Sequence, residues 1–364
     1  MRKLYLYLLS RFAYWYKRCA FCIPLLALLF IASSCQKIKK TTEVKLAHTL
    51  EVTHPVHKAM VYMADRVKEK SGGKMTIDIY PSSQLGSERE SIELLQIGSI
   101  GMTKVSAAVM ESFSPNFKVL SLPYVFRDKA HYYDVLDGGI GDDLLKEGEK
   151  YWLRGLCFYD AGSRSFYSTK KPIDSPADLR GMTIRVQASN TAFSMIKSFG
   201  GAASPVSWGE LYTALQQGVV DGAENNPPSF YLSRHYEVSK YYSLNEHTMI
   251  PDILLISTVV WDSLTPQEQQ WLQEAAEESA QVQRELWEEA EVEALQAIRD
   301  AGVTVSTPDK APFARLVEPM YESFKNEPEV YSLIQRIRQT GNQKEAIVSV
   351  SKPQTGTYEY QGKD

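Results

Sequence analysis

Apolar and polar side chains follow two different periods along most of the chain. Apolar residues recur every three or four positions from Val56 to Val67, which predicts a helix over 55–70 that ends at Gly72-Gly73. Over 74–80 apolar and polar residues alternate, which predicts a half-buried strand. Strands that alternate with helices are typical of an α/β protein.

The same alternation extends over the rest of the chain. The patterns predict strands over 44–50, 153–158 and 182–186, helices over 191–199 and 208–217, and a further strand that begins at Val219-Val220. We expect a loop or a helical turn over 174–180. Two α/β units are therefore predicted.

Two capping signals mark the start of helices. Ser87 with Glu90 forms a capping box, and Thr265 with Glu268 places an N-cap ahead of Pro266. The run after Thr265 contains no Gly or further Pro until Gly302. A helix of that length extends on the order of 50 Å. It is therefore predicted to brace both units.

The N-terminus has the pattern of an export signal. Residues 1–18 carry five basic residues and no acid, and an apolar run over 19–32 follows. Residues 32–35 (ASSC) resemble a bacterial lipobox, which predicts that Cys35 is the lipidated first residue of the mature chain. A plain signal peptide cut nearby, leaving Cys35 free or trimmed, is the alternative.

Composition agrees with a soluble two-domain protein. The chain has 364 residues, a net charge of −4, 44% hydrophobic residues and four cysteines. Cys19 and Cys22 belong to the predicted signal, so no internal disulfide is expected. No basic stripe follows the N-terminus, so a nucleic-acid partner is not expected.

No motif for a cofactor or for catalysis is present. The chain lacks a Gly-rich phosphate loop, a His-Glu-x-x-His and a Gly-x-Ser-x-Gly. His54 and His57 lie one helical turn apart, but solvated surface residues explain them better than a metal site. We expect that the protein is not an enzyme and binds no metal or cofactor. The alternative is a secreted carbohydrate-active enzyme that uses Glu88 and Glu224.

Polar residues interrupt predicted strands at several positions. Arg185 interrupts the apolar pattern of 182–186, and Lys104 and Ser106 interrupt that of 102–107. Arg164 lies among aromatic residues. Solvent-facing strand sides explain this pattern by itself. A polar cleft for a small anion explains it as well, because Arg pairs with carboxylates and amides pair with hydroxyls.

Four ordered motifs resemble the DctP-type substrate-binding proteins of TRAP transporters. They are YPSSQLG at 80–86, LPYVF at 122–126, LRGMTIRV at 179–186 and ELYTALQQGVVDGAEN at 210–225. The resemblance covers 44–326. It implies a two-domain periplasmic-binding-protein-like fold with a hinge cleft, a long bracing helix, and capture of an organic acid for a membrane permease.

The resemblance also implies which residues bind the ligand. It assigns Arg185 to the ligand carboxylate, Arg164 as a second cation, and the following further residues to the cleft: His48, Thr49, Glu88, Lys104, Ser106, Trp208, Asn225 and His247. Thr49 and Ser106 depart from the sialic-acid-binding members. Residues 207–248 look more like the hexuronate-binding branch, with Trp208 against the sugar's C–H face. The ligand implied is D-glucuronate or D-galacturonate; the alternatives are a C4-dicarboxylate, sialic acid or another organic acid.

These expectations combine into one domain plan. The ranges are a lipoprotein signal peptide at 1–34, a tether at 35–42, a first α/β lobe mainly at 43–160, a second mainly at 161–250, a crossover strand with bracing and C-terminal helices at 251–340, and a tail at 341–364. The expected location is the periplasmic side of a bacterial membrane, held by a lipid anchor.

Overall fold

A computed structural model of the chain describes residues 41–341. The predicted signal peptide, the lipidation site Cys35 and nearly all of the predicted tether and tail lie outside the described residues. Among the described helices, none combines the length and the apolar character that a membrane span requires.

Within residues 41–341 the structure has eleven strands and twelve α-helices. The strands are β1 Thr42–Ala47, β2 Met75–Tyr80, β3 Met102–Ser106, β4 Leu153–Tyr159, β5 Arg164–Ser168, β6 Thr183–Val186, β7 Ala202–Pro205, β8 Gly222–Asn225, β9 Tyr241–Thr248, β10 Asp252–Ser257 and β11 Thr304–Ser306. The helices are α1 Pro55–Lys70, α2 Glu88–Gln96, α3 Ala107–Met110, α4 Lys129–Leu136, α5 Gly139–Glu147, α6 Asn190–Phe199, α7 Trp208–Gln216, α8 Pro227–Leu232, α9 Thr258–Ser263, α10 Pro266–Asp300, α11 Ala311–Ser323 and α12 Pro328–Gln339.

The strands form two mixed sheets. The first has the order β2-β1-β3-β10-β4, and the second has the order β11-β9-β5-β8-β6-β7. We call each sheet with the helices packed on it a lobe. This is the α/β, two-domain fold that the sequence predicts.

The chain crosses three times from one sheet to the other, twice through short segments and once, between β10 and β11, through α9 and α10. The first crossing joins β4 to β5 through 160–163, and the second joins β9 to β10 through 249–251. Strand β10 then pairs antiparallel with β3 and β4 of the first sheet. Two such connections are the usual basis of a hinge. They lie beside 160 and 250, where the sequence places its domain boundaries, although those boundaries stay a prediction.

Helix α10 confirms the predicted bracing helix. Thr265 and Glu268 form the capping box, and the 35 residues extend about 50 Å. The helix packs on α1 in the first lobe and on α8 in the second. The side chain of Gln283 holds both the backbone N–H and the carbonyl of Asp160, each at 2.8 Å. The helix is thus bonded directly to the first crossing.

Close packing at this crossing depends on a glycine. Gly162 has a φ of +57°, and a Cβ there would lie 2.8 Å from Nε1 of Trp287 on α10. A larger residue is therefore strained by both its backbone and its neighbour.

Local signals placed most elements correctly. Helix α1 has the predicted bounds, Ser87 and Glu90 form the predicted capping box, and α6 ends at Gly200 with φ of +90°. The strand predicted from Val219-Val220 is wrong. Val219 is 60% exposed in a turn, and the strand begins at Gly222. Two β-branched residues there favoured a strand, but the turn after α7 places one of them in solvent.

Candidate functional site

A cavity lies between the two lobes. It has a volume of about 240 Å³, slightly below the ~300–1,000 Å³ typical of small-molecule pockets, so it suits a compact ligand. Eight of the ten residues assigned to the cleft line it: Thr49, Glu88, Lys104, Ser106, Arg164, Arg185, Trp208 and Asn225.

Arg185 is a buried cation without a carboxylate partner in the described part of the chain. Strand β6 places it in the second sheet, and it is 4% exposed. Its Nε donates to the carbonyl of Val206 at 2.8 Å, and its terminal nitrogens have no recorded partner among residues 41–341. Burial lowers the pKa of the guanidinium below its ordinary value. The solvent-facing interpretation of Arg185 is therefore wrong, and its planar fork is available to an anion.

Arg164 is also buried, but it is fully paired. Its Nε lies 2.5 Å from Oε2 of Glu224, its Nη2 donates to Oε1 at 2.8 Å, and its Nη1 donates to Asn225 Oδ1 at 2.8 Å. Burial opposes its charge, but Glu224 outweighs that effect and raises the pKa of Arg164. The solvent-facing interpretation is therefore wrong for Arg164 as well, because both side chains of the pair are buried.

Glu224 belongs to that ion pair and not to the cavity wall. Burial acts against its charge, yet Arg164 and His247 hold its pKa at about 2. An acid or base for sugar hydrolysis needs a pKa nearer the working pH and access to substrate. Glu224 has neither property, which counts against the enzyme alternative.

Asn225 contributes a hydrogen-bond donor. Its Oδ1 accepts from Arg164 and from the backbone N–H of Asn226 at 2.9 Å. Both neighbours are donors, so the amide orientation is fixed. The side chain lines the cavity, and its NH₂ group is left to donate to a ligand oxygen.

Three charged groups on the wall formed by the first lobe contact one another. Nζ of Lys104 lies 3.2 Å from Glu88 Oε1 and 3.1 Å from Asp252 Oδ2. Burial opposes the ammonium charge, but Asp252 and Glu88 outweigh it and raise the pKa of Lys104. Glu88 Oε1 also accepts from the backbone N–H of Ser106 at 3.2 Å. Glu88, in the first turn of α2, therefore contacts Lys104 and Ser106 of strand β3.

Trp208 and Thr49 complete the predicted lining. The guanidinium of Arg185 lies 6.0 Å from the centre of the Trp208 ring. Thr49 is 4% exposed and lines the cavity. An aromatic ring beside a buried cation provides an apolar face next to a carboxylate position.

His48 and His247, the other two residues assigned to the cleft, do not line this cavity. His48 accepts from the backbone of Leu50 at 3.1 Å, and its Nε2 lies 2.9 Å from His57 Nδ1. His247 stacks on Phe166 and lies 3.5 Å from Glu224. Burial lowers the pKa of both rings, that of His48 to about 2. His48 thus supports the lining residue Leu50, and His247 packs against the buried Glu224.

The lining residues that sequence reasoning did not assign to the site include His54, Gln187, Ser229 and Asp252. The surface interpretation of His54 is wrong, because it is 1% exposed and caps α1. Its Nδ1 accepts from Val56 N–H, so at neutral pH its Nε2 donates to Ser229 Oγ at 3.2 Å. Burial lowers its pKa to about 3. The N-cap position before Pro55 was the signal for its special role.

Several polar contacts join the lobes around the cavity. His54 of the first lobe meets Ser229 of the second, and Ser106 Oγ lies 3.3 Å from Gln187 Oε1. Glu111 accepts from Ser189 Oγ at 2.6 Å and from the backbone N–H of Thr191 at 3.2 Å. The structure thus shows the two lobes in a closed conformation around the cavity.

Metal ligands are not grouped in the described region. Across residues 41–341, no three His, Cys, Asp or Glu side chains lie in an arrangement that holds an ion. The geometry favours polar binding of a small anion.

Two lobes, two short crossings between them and a polar cavity with an unpaired arginine are the features of a solute-binding protein. The family model described as bacterial extracellular solute-binding protein, family 7 (DctP) matches residues 46–327. The chain belongs to this family, which consists of transport proteins and not of enzymes.

Similar proteins agree with this membership. An uncharacterized protein, YiiZ, of Salmonella typhimurium is 41% identical over 303 residues, covering 83% of this chain and 92% of that protein. A TRAP periplasmic solute-binding protein of Xanthobacter autotrophicus, solved with bound β-D-galacturonate, is 42% identical with a TM-score of 0.79, covering 82% and 99% of the two chains. One from Chromohalobacter salexigens, solved with bound D-glucuronate, is 34% identical with a TM-score of 0.80 and covers the same shares.

Proposed function

We propose that this protein captures a hexuronate, D-galacturonate or D-glucuronate, and delivers it to the membrane permease of a TRAP transporter. The observation that carries the proposal is Arg185, a buried guanidinium whose terminal nitrogens have no recorded protein partner in the described chain. A buried charge of this kind is costly unless an anion joins it. The similar structures with bound uronates supply the class of anion.

The remaining lining fits the rest of a uronate. Asn225 donates through its amide nitrogen, and Thr49 and Ser229 carry hydroxyl groups at the wall. Trp208 offers an apolar ring beside Arg185 to the C–H face of the sugar. One carboxylate clamp with several hydroxyl partners is what a sugar acid requires.

We further propose that the chain is tethered to the membrane through a lipidated Cys35 and acts on the periplasmic side. The support is the lipobox-like sequence at 32–35. Two or more acyl chains give stable anchoring. Labelled palmitate should enter the wild-type protein in its native host and not the Cys35→Ser variant; equal labelling of both contradicts the anchor.

A thermal-shift and calorimetry screen tests the ligand. The purified protein is titrated with galacturonate, glucuronate, the matching neutral hexoses, succinate and sialic acid. A uronate at 100 times its dissociation constant should add ~2.7 kcal/mol of stability. Neutral hexoses should add none, because they leave Arg185 without an anion.

The same screen contains the contradicting outcomes. No shift with either uronate overturns the ligand assignment, and a shift with succinate or sialic acid alone redirects it. Recovery of the uronate chemically unchanged after long incubation is expected. Conversion of the sugar to a product supports the enzyme alternative instead.

A further inference from the structure

The first-lobe wall has a charge opposite to that of Arg185. Glu88, Lys104 and Asp252 form a contiguous cluster in which one ammonium contacts two carboxylates. We call these three side chains the acidic triad. All three side chains line the cavity, and together the acidic triad carries a net charge of −1.

The free atoms of the acidic triad suit hydroxyl groups. Glu88 accepts both of its hydrogen bonds at Oε1, and Asp252 accepts from Lys104 at Oδ2. Glu88 Oε2 and Asp252 Oδ1 accept no hydrogen bond from residues 41–341. A sugar hydroxyl donates to such an oxygen, whereas a carboxylate only accepts. A second ligand carboxylate would therefore meet acceptors and a like charge.

Other cations do not change this balance inside the cavity. Arg164 is neutralised by Glu224, and Arg185 belongs to the opposite lobe. Arg89 lines the rim, but its side chain is 55% exposed and lies 3.1 Å from Glu93. Water screens such a surface pair strongly. The cavity is thus positive at one wall and negative at the other.

We propose that the acidic triad acts as a charge filter, so that the site accepts sugar acids with one carboxylate and rejects aldarates and C4-dicarboxylates. This inference rests on the proposed function and defines its substrate class. A repulsive element built against a competitor is a general source of specificity.

The test compares ligands of one skeleton. Calorimetry on the purified protein uses galacturonate, the open-chain monoacid galactonate, and galactarate, which differs from galactonate by a second carboxylate. We expect galactonate to bind roughly 100-fold more tightly than galactarate, because only the diacid places a carboxylate against the acidic triad. The open-chain pair removes ring shape as an explanation.

Glu88→Gln tests the residue directly. It removes one negative charge while keeping an oxygen for Lys104, so the preference for galactonate should shrink by roughly tenfold or more. Glu43→Gln changes an exposed glutamate of β1 that does not line the cavity, and this matched control should leave the preference unchanged. Asp252→Asn repeats the test should the first variant not fold.

The outcomes separate this inference from the proposed function. Equal wild-type affinity for galactonate and galactarate, with galacturonate still bound, overturns only the charge filter. An unchanged preference in a folded Glu88→Gln variant that binds galacturonate does the same. Failure of the wild-type protein to bind any of the sugar acids overturns both.

Discussion

Two strands of the second sheet each bury an arginine, and the two arginines have different roles. Strands β5 and β6 both border β8, with Arg164 on one and Arg185 on the other. Arg164 is paired with Glu224 from the strand between them, and the pairing raises the pKa of Arg164. Arg185 donates only to the backbone carbonyl of Val206 among the described residues, and burial lowers its pKa. Burial alone therefore does not identify a ligand-binding cation. The absence of a carboxylate partner is the observation on which the proposed role of Arg185 rests.

The largest expected effect is on stability at the paired arginine. Arg164→Met leaves Glu224 buried without its cation, which costs about 3–5 kcal/mol in the free energy of unfolding. Glu224→Gln leaves Arg164 unpaired and should cost a similar amount. The double variant should lose less than the sum, because neither charge remains. Urea unfolding of the four proteins measures this coupling, and strictly additive losses would contradict a buried pair.

The next largest effect is on affinity at the unpaired arginine. Arg185→Met should weaken uronate binding by about 2–5 kcal/mol, because the ligand carboxylate loses its buried partner. The free energy of unfolding without ligand should change by no more than about 1 kcal/mol, since one bond to Val206 is lost and an unpaired charge is removed. Calorimetry and urea unfolding measure the two quantities.

Two further variants sharpen this contrast. Arg185→Lys should also bind weakly, because an ammonium cannot replace the planar fork. Arg180→Met removes an exposed arginine just before the same strand and serves as the control, with affinity unchanged. Unaltered uronate binding by Arg185→Met would remove Arg185 from the proposed carboxylate site.

The smallest expected effect is the pH dependence that Glu224 gives to stability. Its folded pKa of about 2 lies below the ordinary value of about 4.3, so the unfolded chain takes up its proton first on acidification. The stabilisation is complete above about pH 5 and is lost as pH falls toward 2, on the order of 2–3 kcal/mol. Urea unfolding of the wild type and Glu224→Gln at several acidic pH values measures it. Parallel losses in the two proteins would show that Glu224 does not titrate this way.

Recurring local patterns made much of the fold predictable. The capping boxes at Ser87 and Thr265 and the glycine end at Gly200 involve residues within a few positions of one another. The length of α10 followed from an uninterrupted run without Gly or Pro. Val219 shows the limit of such patterns, because its exposure depends on how the turn after α7 lies on the lobe.

The site was predictable in membership but not in chemistry. Motif resemblance assigned ten residues to the cleft, and eight of them line the cavity. It gave Arg164 as a second cation for the ligand, whereas the structure pairs Arg164 with Glu224. His54 looked like a surface residue because its partner Ser229 lies 175 positions away. Sequence neighbours carry no information about such partners.

The sequence by itself determined the elements, their caps, the bracing helix and the family, because these depend on short-range periodicity and on ordered motifs. Only the tertiary structure decided which charges are compensated. Glu224 is 60 positions from Arg164, and Asp252 is 148 positions from Lys104, yet each pair is in contact. Electrostatic energy depends on distance and burial in space. The free guanidinium of Arg185 and the net negative wall opposite it therefore exist only once the two lobes have folded and met.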